Sequence, residues 1–287
     1  MEYTTFQLET APELSSPVII VGFRGWGNAL EVASGMAAYL VDSLNGRSIG
    51  RLDSDACFRY DENRPVVAIE SGRIKSINPP GGSFFAVETA PGESDLLVLT
   101  ADEPSLQWHR FSWELVELAR KIGARQLISL GSMFDHVLHT DRIISAATTG
   151  EDQTDVLNHH GVLPVNYQGP SAIHTVILEA CRKQGLSGAS LWCHCPAYLQ
   201  GITHHGVMLH LARLLADMAN FSLKTKGLES RWTALEIQIR ELIAENPKLE
   251  AVMDQIRRKK RQGAWQNLQA TGDAKDNVIN LQDFIDP

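Results

Sequence analysis

The run VIIVGFRGWGNALEVASGMAAYL, Val18 to Leu40, decides the fold class. Its first residues are short, continuous and β-branched, the pattern of a strand buried on both faces. Glycines at positions 22, 25 and 27 then interrupt it, and a helical pattern follows. Asn28 is placed to cap that helix, Leu30, Ala33, Ala37 and Leu40 recur on one face, and Asn45-Gly46 supplies a stop. A strand, a glycine turn and a helix in this order form half of a βαβ unit, and such turns often cradle phosphate at the helix N-terminus.

The rest of the chain repeats the alternation. PVVAIE, RIKSI, FFAVET, DLLVLT, QLISLG, IISAAT and ASLWCH read as strands. Helical patterns fall between several of them, after Pro104, near Asp152 to His160 and from Ser171 to Gln184. Trp108, Phe111 and Leu115 are at core spacing in the first of these. The predicted architecture is three-layer α/β/α with a mixed, mostly parallel sheet. Its least regular part is the hairpin-like section from Ser48 to Thr89. After Ala197 the pattern turns almost wholly helical. From Lys224 it reads as a helical hairpin broken at Asn246-Pro247, with ten basic against six acidic residues up to Arg261. The predicted division is an α/β domain over 1–223, a helical hairpin extension over 224–262 and a loosely ordered tail over 263–287.

Length and composition narrow the function. The chain has 287 residues, 44% hydrophobic and 21% charged, the balance of a soluble globular protein, and a formal net charge of -8. An acidic chain lacks the electrostatic footprint of a nucleic-acid binder, and RRKKR (Arg257 to Arg261) is better read as a solvated helix end. No secretory or membrane-spanning segment is visible, and four irregularly spaced cysteines do not form a disulfide framework, so a reduced cytoplasmic setting is expected.

The glycine turn fails the strict nucleotide fingerprints. Gly27 is followed by Asn28-Ala29 rather than Lys-Ser/Thr, and Leu30 stands where the dinucleotide motif needs glycine or alanine. The preferred reading is a tight strand-to-helix turn anchored by Trp26, with positive φ and close packing as the reason for the glycines. CHC at Cys193 to Cys195 places both cysteines on one strand face and His194 on the other, which disfavours a shared metal, so no metal or cofactor is assigned. Ser132 precedes Asp135, His136 and His139 in a strand-end loop, but no Gly-x-Ser-x-Gly elbow accompanies them, and no catalytic residue is assigned. Strand-end loops of a doubly wound sheet converge on one edge. A candidate anion or ligand site there comprises Arg24, Gly25, Trp26, His139, Thr140, Arg142 and Gly169. The two arginines would hold the anion and His139 would act as acid or base.

Several elements form an ordered series: Gly25-Trp26 before a small-residue helix, Arg64-Pro65 opening a strand, and Glu103-Pro104 followed by Trp108. His139-Thr140, Gly169-Pro170 at a helix start, and Pro196-x-Tyr198 after a strand complete it. In this order the chain resembles the bacterial branch of the proteasome assembly chaperone two family, over roughly residues 15 to 225. The resemblance implies a phosphorylase/hydrolase-like α/β/α fold, homo-oligomers, and a part in protein assembly rather than catalysis. The expectation is therefore an assembly or interaction protein, with a partner surface on the amphipathic C-terminal helices. The alternative is a small-molecule (anion or nucleoside) binder or enzyme using the strand-end loops.

Overall fold

A computed structural model describes residues 3–10 and 12–261. The chain begins β1 (Phe6–Leu8), β2 (Val18–Arg24), α1 (Val32–Ser43), β3 (Arg47–Leu52), the single turn α2 (Ser54–Cys57), β4 (Val66–Glu70), β5 (Arg73–Asn78) and β6 (Gly82–Val87). It continues β7 (Leu96–Asp102), α3 (Trp108–Lys121), β8 (Gln126–Asp135), β9 (Ile144–Thr148), α4 (Thr154–His159) and β10 (Leu163–Pro164). Then come α5 (Ile173–Gln184), β11 (Ser187–Pro196), α6 (His205–Ala219), α7 (Lys226–Glu245) and α8 (Pro247–Arg261). The predicted tail over 263–287 lies outside the described residues.

Nine strands form one sheet in the order β1-β3-β6-β7-β2-β8-β11-β9-β10. The centre, β7-β2-β8-β11, is parallel and holds the longest ladders, including ten paired positions between β8 and β11. The β6, β3 and β1 flank and the β9–β11 pair are antiparallel, so the sheet is mixed as the sequence predicts. Alternation along the strands builds two cores. Ile20, Val98, Leu130 and Leu191 face α1, α6 and the C-terminal helices. Val21, Leu99 and Leu127 face α3 and α5, with Phe111, Leu115 and Ile177. Both faces of the central strands are covered, which is why they read as unbroken apolar runs.

The β2–α1 junction departs from expectation in detail. The regular helix starts at Val32, after a short 3₁₀ turn over Ala29–Glu31, because Leu30 and Glu31 take left-handed φ of 52° and 56°. Asn28 still serves as a cap: its Oδ1 accepts from the Ser34 N–H at 3.0 Å. Helix α1 lies almost in contact with β2, and Gly22 permits it. A Cβ there would stand 2.6 Å from the Ala33 carbonyl oxygen.

The C-terminal helices α7 and α8 are separated at Asn246-Pro247, but their apolar stripe is not free. Leu228, Trp232, Leu235, Ile239, Leu249 and Met253 are buried in the same cluster as α1 and α6. By contrast, β4 and β5 form a separate two-stranded arm, exposed along its length. Among the described residues no helix is long and apolar enough to cross a membrane.

Gly22→Ala is expected to destabilise the fold by about 1–3 kcal/mol, because backbone cannot yield to the added methyl. Gly35→Ala on α1 meets only the flexible end of Met208, at 3.5 Å, and should be neutral or slightly stabilising. Thermal melts of the two variants make the comparison, and equal melting temperatures would refute the close-approach account.

Candidate functional site

The glycine turn is already occupied, by a carboxylate of the chain itself. Glu103 follows β7, and its N–H donates to the Arg24 carbonyl at 2.7 Å. Its Oε2 then accepts from the Trp26 N–H at 3.3 Å, and its Oε1 accepts from the Ile173 N–H at the start of α5 at 3.0 Å. A negative group at backbone N–H donors is the arrangement a phosphate loop offers its ligand, and here the anion is internal. Gly25, at φ 142°, is required by the same contact, because a Cβ would lie 2.9 Å from Glu103 Cβ.

Arg24 is likewise engaged. Its Nε donates to Asp102 Oδ1 at 2.7 Å, while Asp102 Oδ2 accepts from the Gly81 N–H at 2.8 Å. With Asp102 and Glu103 beside it, the turn is a poor place for an added anion. Trp26 does not anchor the turn as the sequence suggested. It is 66% exposed, and its ring stands edge-on to Trp192 with centroids 6.4 Å apart. The hydrogen bonds to Glu103 hold the loop instead, so the indole is left free to face outward.

His139 and Arg142 belong to a different cluster, with partners that Arg24 and Gly25 do not share. The Tyr198 hydroxyl accepts from the His139 N–H at 2.6 Å and donates to His139 Nδ1 at 2.9 Å. Trp232 of α7 lies across this pair. It stacks on His204 at 5.1 Å, tilts against His139 at 6.4 Å, and has the Arg142 guanidinium 6.0 Å from its centroid. The indole can lie flat on α6 because residue 206 is glycine, where a Cβ would come within 2.7 Å of the ring. Thr140 is exposed, and Gly169 sits in an exposed loop against the Tyr167 hydroxyl. The seven predicted site residues are therefore divided between two clusters and a loop.

Glu103, Tyr198, His204 and Trp232 carry these clusters, and none of them was in the candidate anion or ligand site. Glu103 and Tyr198 stand inside the ordered motif series, which was the available signal. Trp232 read as one of several apolar positions on an amphipathic helix. Burial holds both central histidines neutral: the His204 imidazole is pushed down to about 3, and that of His174, buried under β8, to about 4. Burial lowers His139 as well.

The remaining candidates resolve individually. Ser132 is fully buried and donates to the Ala29 carbonyl at 2.8 Å, a structural role. Cys193 and Cys195 are buried on one face of β11 and His194 on the other, as the strand period requires. Asp135 turns away from Ser132 toward His194. Arg257, at the start of the basic run, pairs with Asp254 on its own helix at 3.0 Å.

Comparison with known proteins gives a consistent neighbourhood. The sequence profile described as PAC2 family matches residues 19–243. No curated protein sequence matches the chain. Among solved structures, a protein of unknown function from Corynebacterium glutamicum is 23% identical, with a TM-score of 0.80 over 91% of this chain and 99% of its own. A Mycobacterium tuberculosis homologue of proteasome-assembly chaperones is 24% identical, with a TM-score of 0.74 over 82% and 99%. A PAC2 family protein from Streptomyces avermitilis is 25% identical, with a TM-score of 0.71 over 82% and 99%.

Two outcomes are expected from the site. Glu103→Ala removes an ionic acceptor from two backbone donors and should cost about 1.5–3 kcal/mol, seen as a lower melting temperature; an unchanged melt would show that the carboxylate is dispensable. The buried histidines titrate near 6.5 once unfolded but well below that when folded. The unfolded state therefore binds more protons as pH falls from about 6.5 toward 4, and stability is lost in that window. At pH 5 the loss is on the order of 2 kcal/mol for each of His174 and His204. Chemical denaturation at pH 7 and pH 5 measures it, and His204→Phe should flatten the dependence by the share of that one histidine.

Proposed function

The chain belongs to the PAC2 family, and on that premise we propose that it is an interaction protein of the proteasome-assembly-chaperone kind, working as a homo-oligomer in the cytoplasm. A structural neighbour from Mycobacterium tuberculosis, 24% identical, is a proteasome-assembly chaperone homologue. The observation that carries the reading is the β4–β5 arm.

Its register opposes Val67 to Ile77 and Ile69 to Ile74. Val67 and Ile69 are two apart on β4 and share a face. Ile74 and Ile77 are three apart on β5, and the register shift between Ala68 and Ile69 keeps each opposite its β4 partner, so the four β-branched side chains form one apolar face. They are 49%, 58%, 62% and 64% exposed. An isolated two-stranded ribbon is marginally stable in water and needs an apolar surface to lie on. Contiguous exposed apolar area of this kind marks a protein interface. A rim of exposed apolar residues stands elsewhere on the same chain, at the carboxyl ends of β8 and around β10: Met133, Phe134, Leu163, Val165 and Tyr167. An arm of one copy laid on the rim of another gives a head-to-tail contact, which closes into a ring when the rotation permits.

The C-terminal helices play another part in this reading. Their apolar face covers the sheet, so deleting them would uncover the core rather than detach a partner. Light scattering on the full chain is expected to give a defined oligomer, and Ile69→Ser with Ile74→Ser to give monomers. Because the substituted side chains are exposed, the monomer should keep its stability to within about 0.5 kcal/mol. A wild-type monomer at micromolar concentration, or an oligomer indifferent to the double substitution, would remove the arm from the interface. Purified proteasome subunits should co-elute with the oligomer, and separate elution would count against the chaperone role.

A further inference from the structure

Three side chains on neighbouring strands are linked in a chain that neither the glycine turn nor the arm uses. Asp135 ends β8, His194 lies on β11 and Ser145 lies on β9. Asp135 Oδ2 is 2.7 Å from His194 Nδ1, and His194 Nε2 is 2.9 Å from Ser145 Oγ. Burial alone would raise the Asp135 carboxyl, but hydrogen bonds from His194 and from the His136 N–H bring it below the ordinary carboxylate value. An ionised carboxylate only accepts, so Nδ1 carries the proton of the neutral ring. Nε2 is then the acceptor, and the Ser145 hydroxyl donates to it. This is the order of groups that activates a serine, and such an arrangement is recognised by geometry and not by sequence position. Ser145 lies on a strand instead of a glycine elbow, and its partners are 10 and 49 residues away, so the sequence motif does not reveal it.

The surroundings indicate what the serine would meet. Ser145 is 5% exposed, and the residues opposite it in register are Trp192 on β11 and Leu163 on β10. Trp192 is half-buried and Leu163 is 48% exposed, with Val165 beyond it, so the hydroxyl lies between apolar walls at the sheet edge. We propose that Ser145, His194 and Asp135 form a nucleophilic relay that cleaves esters of apolar acids. As the Ser145 Oγ–H bond breaks, its proton passes to His194 Nε2 and Oγ bonds to the acyl carbon. The ester C–O bond then breaks, and the departing alcohol takes the proton from Nε2. Water repeats the sequence, returning the proton to Ser145 and releasing the acid. Ser145 and His194 are the catalytic residues, and Asp135 positions the imidazole.

Leu163 and Val165 belong to the rim as well, so the two readings are separated in the Ile69→Ser with Ile74→Ser variant, whose rim no other copy covers and which would still label at Ser145. The full-length protein is treated with a fluorophosphonate probe and the adduct is located by peptide mass spectrometry. One adduct on Ser145 is expected, absent in Ser145→Ala and absent after heat denaturation of the wild type. In His194→Gln the labelling rate should fall by about 10²–10⁴-fold. Hydrolysis of p-nitrophenyl esters by the wild type, which needs no variant to fold, should favour longer acyl chains over acetate. Absence of an adduct on Ser145 in natively folded protein overturns the proposal. So does labelling that proceeds equally well in folded His194→Gln.

Discussion

The carboxylate of Glu103 holds the carboxyl edge of the sheet together. Through its two oxygens and its own N–H it joins the end of β2, the glycine turn and the first turn of α5. Two backbone segments far apart in sequence, residues 24–26 and the start of α5, are thereby fixed to the end of β7 by one residue, and each would otherwise leave polar groups short of partners. The geometry of Gly25 follows from it, since a side chain there would collide with Glu103. The outward position of Trp26 follows as well, because hydrogen bonds hold the loop and burial of the indole does not. A motif with the outline of a phosphate loop has become a self-capped joint.

On the opposite side of the sheet the organising element is Trp232. Its indole lies on α6 over Gly206 and closes the pocket that holds His139, His204 and Tyr198. The C-terminal helices are therefore a lid on the sheet, and their amphipathic pattern reports burial within the chain. Surface available to other molecules lies instead in the arm and the rim, which the fold leaves uncovered.

The fold was legible in the sequence because its signals are local. Continuous β-branched runs gave the central strands, and the same runs are buried on both faces for the reason that made them readable. The arm was recognisable as two strands, but not its isolation from the main sheet, since pairing depends on distant neighbours; the edge strands β1 and β10, three and two residues long, were too short to read. The site was less legible for the same reason. Arg24 and His139 lie at strand ends as expected, yet what each touches depends on Asp102 and Tyr198. Periodicity marks Trp232 as apolar without saying that it stacks on a histidine. The Ser145–His194–Asp135 chain shows the limit most clearly, because strand order, set by crossovers, brings β8, β11 and β9 side by side.

The arm has one further consequence. Among the described residues its strands pair only with each other, and its exposed side chains have no part in either core. Mutations that alter its length or composition can therefore accumulate without disturbing the three layers. In the proposed reading, the residues that make the contact and the residues that hold the fold are therefore different sets. Substitutions in the arm can alter such a contact while the sheet and its two helical layers stay the same.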